Sequence, residues 1–290
     1  MILQPQPVGI FPGATAHLML PNLHSEDGSL TDIDRVALIR LLQGDVDEDL
    51  PQHWQFFGLA TQGKNEQATI ELSRLLQLIE GDQAFATNQK EILRQIIGYN
   101  QFVLSPNELQ FQQLKISVVE RQLSELLQLV AFSFGLSDQA PKPEKLEHPE
   151  LRAWALACCA AAYVEQENIL SARQSLAEAV ELTRQQSPLL CAILLSQSAQ
   201  LAEQTQVPCG LVQRELEDAI ELAKESQLPG FLAGLYAQLG MLLHRSASEN
   251  RSALQAAIKY YQLALQSGVT AEAAPLLFAE LQNNLGLAYL

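Results

Sequence analysis

The side chains in this sequence best suited to chemistry are five histidines and four cysteines. His17, His24, His53, His148 and His244 are scattered: no two stand four apart on a helix, and none belongs to an HExxH, so a zinc-hydrolase face is not formed. Cys158 and Cys159 are adjacent, which on a helix turns them about 100° from each other, and Cys191 and Cys209 complete no CxxC. GxSxG, P-loop and strand-GxGxxG signatures are also lacking. The cysteines therefore read as small core residues of a reduced protein and the histidines as packing or surface groups. No catalytic residue, metal or cofactor is expected, and the chain reads as a protein that is not an enzyme.

Two acidic segments have to be weighed. Asp27, Gly28, Leu30 and Asp34 fall at positions 5, 6, 8 and 12 of a loop that resembles the calcium site of the EF-hand or dockerin type, but Leu23 at position 1 supplies no carboxylate. A turn at Asp27-Gly28 and a helix capped by Thr31, ending near Gly44, explain the same residues. The run Asp45-Val46-Asp47-Glu48-Asp49 precedes Pro51 and reads as a solvated turn leading into a helix N-terminus.

The elements that position these groups follow from composition. Of 290 residues 48% are hydrophobic but only 6% aromatic, so the core is built from Leu and Ala, which favours close-packed helices over sheets. With 18 Lys and Arg against 33 Asp and Glu, the net charge of -15 disfavours nucleic acid and anionic lipid as partners. The longest apolar stretch, Ala153 to Val164, falls short of the roughly 20 residues of a membrane span, and the opening residues show no signal-peptide pattern. The expected protein is soluble and cytoplasmic.

Along the chain, residues 1–24 carry Pro5, Pro7, Pro12 and Pro21 and read as an extended arm. An N-terminal helical domain is expected over 25–136. It contains a hairpin from Gln52 with its turn at GKNE, a helix around 88–101, and one long helix at 106–134 started by a capping box at Ser105-Pro106-Asn107-Glu108. That long helix is the spine of a bundle or, in a competing reading, the seam of a homodimer. The proline-rich segment 137–149 reads as a linker, and 150–290 as a repeat domain.

The repeat domain is organised around Leu151 to Arg184, a helical hairpin with its turn at EQEN. Leu156, Cys159, Ala160, Tyr163, Ala172, Leu176 and Ala179 are spaced as in the tetratricopeptide repeat, which the hairpin resembles. Ala179, Ala219 and Ala264 mark the same place in successive second helices, at steps of 40 and 45. The resemblance implies an all-α fold of antiparallel hairpins stacked as a right-handed superhelix, and it implies which residues line its concave face. Those are Trp154, Ala157, Ala161 and Val164, then Ile193, Ser196 and Gln200, then Ala237, Met241 and His244, and finally Asn283 and Leu287. The basic clamp of the family's chaperone-binding branch is missing. Such a groove suits an apolar helix or extended segment of another protein, which makes the chain an adaptor or scaffold. A competing reading has part of this set packing on the protein's own arm. The final AELQNNLGLAYL reads as the first helix of a fourth repeat, which raises an alternative: a regulatory or substrate-docking region of a larger multidomain enzyme or signalling protein.

Overall fold

A computed structural model describes residues 16–19, 40–41, 50–185, 187–202, 205, 207–224, 226, 228–246, 251–272 and 274–289. Among them are twelve α-helices, two single-turn 3-10 helices and no strand, so the protein is all-α. The calcium-loop-like segment, the acidic run at 45–49 and Leu290 lie outside the described residues. Of the helix expected over 31–44 only Arg40 and Leu41 are described, and both are helical. The chain divides into two compact units, Met1–Cys159 and Ala160–Leu290.

In the first unit a 3-10 turn at Gln52–Trp54 leads into α1 (Gln55–Thr61), and α2 (Asn65–Gly81) folds back on it. The turn is made by Gly63 at φ +74°, with Lys64 N–H donating to the Leu59 carbonyl, as the GKNE signal predicts. Ala68 and Leu72 are fully buried. Helix α3 (Thr87–Leu104) packs on α2. Trp54, Phe56, Phe57, Tyr99 and Phe102 fill the core together with the leucines of α2 and α5.

The single helix expected over 106–134 is two helices, α4 (Glu108–Ser117) and α5 (Arg121–Ser133). Asn107, not Ser105, caps α4, its side chain accepting from the Gln110 N–H at 2.9 Å. The break has three causes. Ile116, Val118 and Val119 are β-branched and disfavour helix; the Gln95 side-chain oxygen accepts the Val119 N–H at 3.3 Å; and the Glu120 carboxylate caps α5 through the Leu123 N–H at 2.7 Å. Leu123, Leu126, Leu127 and Val130 point into the core, whereas Leu109 and Val119 are exposed. The one continuous helix expected as a bundle spine or a homodimer seam is therefore not formed. The proline-rich stretch packs on this unit: Pro141 and Leu146 are buried and Lys145 pairs with Glu125 at 2.5 Å. Helix α6 (Pro149–Glu165) contributes its start to the first unit and its end to the second.

The described part of the arm, Ala16 to Met19, is buried in the first unit. Asn100, on α3, accepts the Met19 N–H at 2.8 Å and donates to the Met19 carbonyl at 2.7 Å. The Tyr99 hydroxyl donates to the His17 carbonyl at 2.8 Å, and the Trp154 indole N–H donates to His17 Nδ1 at 3.3 Å. The His17 ring lies between Phe134 and Trp154, with both ring centroids at 5.3 Å.

The second unit continues with α7 (Ile169–Thr183), α8 (Pro188–Ala202), α9 (Cys209–Lys224), α10 (Pro229–Ser246), α11 (Arg251–Gln266) and α12 (Pro275–Ala288). Proline opens α8, α10 and α12, where its fixed φ suits the first turn and its missing N–H leaves no bond unmade. At the turn into α7, Glu167 takes φ +58° and the Asn168 side chain accepts from the Ser171 N–H. The second helices share one buried seam. Ala172, Leu176 and Ala179 on α7, Val212, Leu216 and Ala219 on α9, and Ala257, Tyr261 and Ala264 on α11 are all buried. The pattern of small and large residues at i, i+4 and i+7 thus recurs in packing at the steps seen in the sequence. Successive helices from α7 to α12 each pack on the next, and α10 also meets α12.

Candidate protein-binding face

The first helices of the hairpins, α8 and α10, are bridged side by side by Ser196, whose hydroxyl lies 2.8 Å from the Gln238 side-chain oxygen. The second helices α7 and α9 are bridged separately, by Arg173 to Glu215 at 2.7 Å and Arg184 to Asp218 at 3.4 Å. Of the residues expected at the groove, those on α8 and α10 therefore stand on helices that lie side by side, and exposure sorts the whole set. Gln200 stands one turn beyond Ser196 and is exposed. Met241 and His244 are half-buried; His244 Nδ1 lies 3.3 Å from the Tyr261 hydroxyl. Asn283 and Leu287, one turn apart on α12, are exposed, as is Ala161 at the end of α6, with Val164 half-buried.

Three of the expected residues serve the interior instead. Ser196 and Ala237 are buried between helices, and Ala157 is buried in the first unit. Trp154 belongs to the first unit as well, where it holds His17. Gln238 was absent from the expected set, although its position next to Ala237 on an otherwise apolar helix marks it as a polar group in need of a partner.

The face is chemically mild. Apolar Met241 and Leu287 alternate with the amides of Gln200 and Asn283, a composition that offers contact area and hydrogen bonds. Among the described residues no three His, Cys, Asp or Glu side chains come together as a metal site. The cysteines are free thiols; burial pushes Cys158 up to about 12, while Cys209 is exposed rather than in the core. No described helix is long and apolar enough to cross a membrane. No protein-family model, curated protein or solved structure matches the chain.

Proposed function

We propose that the protein is a non-enzymatic adaptor of the cytoplasm, whose tetratricopeptide-like array of hairpins binds an apolar helix or extended segment of another protein. The observation that carries this reading is the bridge between Ser196 and Gln238. It joins the first helices α8 and α10, and on α8, α10 and α12 Gln200, Asn283 and Leu287 are exposed while Met241 is half-buried. Helical-hairpin arrays bind ligands on such first helices, and apolar side chains interleaved with amides suit a helix or strand laid across them.

The test is site-specific photo-crosslinking in the intact chain, with the reactive residue placed at Gln200, at Leu287, or at Gln174 on α7 as a control. A partner trapped from Gln200 and Leu287 but not from Gln174, and lost in Met241→Glu, supports the reading. Equal trapping from all three positions, or trapping that survives Met241→Glu, removes the face from consideration. Circular dichroism confirms that each variant keeps its helicity.

A further inference from the structure

The first helices α8, α10 and α12 carry one row of side chains at a common spacing, with steps of four, three and three residues. The row is Ala192, Ser196, Ala199 and Ala202 on α8, Ala233, Ala237, Gly240 and Leu243 on α10, and Ala279, Asn283, Gly286 and Tyr289 on α12. Helix α8 packs on α9 and α10 on α11, and on both of them every residue of the row is buried. On α12 all four are exposed, Tyr289 by 65%. Leu281 and Leu285 of α12 are nonetheless buried, as Leu235 and Leu239 are on α10. Helix α12 is thus seated in the array as α10 is, with one side left open.

On α10 the row is closed by α11. Gly240 leaves room for the Tyr261 ring, with no space for a Cβ beneath it, and the rings of Tyr236 and Tyr260 lie with centroids 6.1 Å apart. Tyr261 stands between Ala257, four residues before it, and Ala264, three after, and all three are fully buried. The matching residues of α9 are Val212, Leu216 and Ala219, and there α8 has Ala199 in place of the glycine. The larger ring goes with the emptier slot. Gly286 is an empty slot again, since a Cβ there meets nothing within 4 Å. Beside it the Gln262 side-chain N–H donates to the Tyr289 hydroxyl at 3.1 Å and fixes the rim. Charge adds a second requirement. Residues 260–289 hold Glu272 and Glu280, both exposed, and no Lys, Arg or His, whereas α11 carries Arg251 and Lys259 and no carboxylate.

We propose that the open row of α12 docks an amphipathic helix of another protein, built like α11: an aromatic residue between small ones four before and three after it, with basic neighbours. The ring enters the slot at Gly286, and the basic side chains face Glu280. A second copy of this chain has no free helix of that kind, because the corresponding rows on α7, α9 and α11 are buried, and its own α12 would bring glutamate against glutamate. Asn283 belongs both to this row and to the face proposed above. The docking site does not rest on that reading, since the residues matching Asn283 on α8 and α10, Ser196 and Ala237, are buried in the hairpins.

The test uses the intact chain and, as the probe, a fluorescent peptide of residues 251–268, the sequence of α11. Fluorescence anisotropy should show saturable binding. Gly286→Leu fills the slot from an exposed position and should weaken binding roughly 10-fold or more, as should Tyr261→Ala in the peptide. Glu280→Lys should weaken it by a smaller factor, and Met241→Glu should leave it unchanged. Circular dichroism checks the fold of each variant, and if Gly286→Leu loses helicity, Asn283→Arg takes its place. Failure of the folded chain to bind the peptide overturns the proposal. So does binding indifferent to Gly286→Leu, in which case the peptide has replaced α11 on α10. Loss in Met241→Glu with none in Gly286→Leu overturns it as well and assigns the peptide to the face proposed above. Dimers of the unaltered chain in sedimentation equilibrium that Gly286→Leu abolishes overturn the assignment to a different protein, because a second copy would then cover the row.

Discussion

Gly240 on α10 stands so close to Tyr261 on α11 that a Cβ at position 240 would lie 2.6 Å from Cε1 and 2.7 Å from Cδ1 of the ring. Tyr261 is fully buried, so its ring has little room to retreat. The Leu-Gly pair recurs at Leu285-Gly286, yet a Cβ at Gly286 meets nothing within 4 Å.

The same substitution should therefore have opposite signs at the two places. Gly240→Ala should destabilise the second unit by about 1–2 kcal/mol, the overpacking cost reduced by the better helix propensity of alanine. Gly286→Ala should be neutral or stabilising by up to about 1 kcal/mol. Urea unfolding followed by circular dichroism decides it. Combining Gly240→Ala with Tyr261→Leu should recover much of the loss, and loss that simply adds would mean the ring is not the obstacle.

The Arg173–Glu215 pair should couple and the Arg184–Asp218 pair should not. Both join α7 to α9, but the side chains of the first pair are 20% and 25% exposed while those of the second are 44% and 54% exposed. A double-mutant cycle with alanine should give roughly 1 kcal/mol for Arg173–Glu215 and nothing measurable for Arg184–Asp218. Raising the salt concentration to about 1 M should shrink the first value only partly, since partly buried pairs are less screened. Equal coupling in the two pairs would show that burial does not set their strength.

The packing of the second unit was legible because it repeats. Ala179, Ala219 and Ala264 announce a seam of small residues at helical spacing, and each is fully buried. What is not periodic was harder to read. The break between α4 and α5 has no proline or glycine to mark it; it depends on Gln95, 24 residues upstream, accepting the Val119 N–H. Likewise the role of Trp154 is set by His17, 137 residues away. A spacing rule places Trp154 on a helix face but says nothing of which distant segment comes to rest there. Asn100 did leave a trace, as an amide among Ile97, Tyr99, Phe102 and Val103 on a helix that is otherwise apolar at those places. A polar side chain in such a position must have a buried partner, although the sequence alone does not say which.

Glu120 should prove to be the residue that keeps α4 and α5 apart. Its carboxylate caps α5, so Glu120→Ala should cost about 1 kcal/mol, whereas Glu120→Asp, Asn or Ser should retain most of that stability. Hydrogen exchange gives the sharper check: loss of the cap should speed exchange at Leu123 N–H by roughly 5-fold, the equivalent of about 1 kcal/mol. Unchanged protection there would show that the break is fixed by Gln95 and the β-branched residues alone.

Acid should weaken the first unit through His17 and base through Glu150. Burial lowers His17 from 6.5 to about 4, so between those values the unfolded chain binds a proton that the folded one refuses. The stability lost relative to a non-titrating residue is nil above pH 6.5 and grows as pH falls, to about 3 kcal/mol near pH 4. Glu150 has the opposite sign. Burial raises it from 4.5 to about 7, so the fold keeps a proton that the unfolded chain releases, and stability falls as pH rises from 4.5 towards 7. Because Glu150 is only partly buried, solvent screening makes its effect the smaller of the two. Urea unfolding of the unaltered chain, His17→Asn and Glu150→Gln between pH 4.5 and 7.5 separates them. Asn at position 17 offers the Trp154 N–H an acceptor without titrating, so the unaltered chain should lose stability relative to His17→Asn on acidification. Against Glu150→Gln it should gain stability over the same range. Parallel curves for the unaltered chain and His17→Asn would mean that His17 takes up its proton inside the fold, which the ring's seat between Phe134 and Trp154 and its acceptance of the Trp154 N–H both oppose.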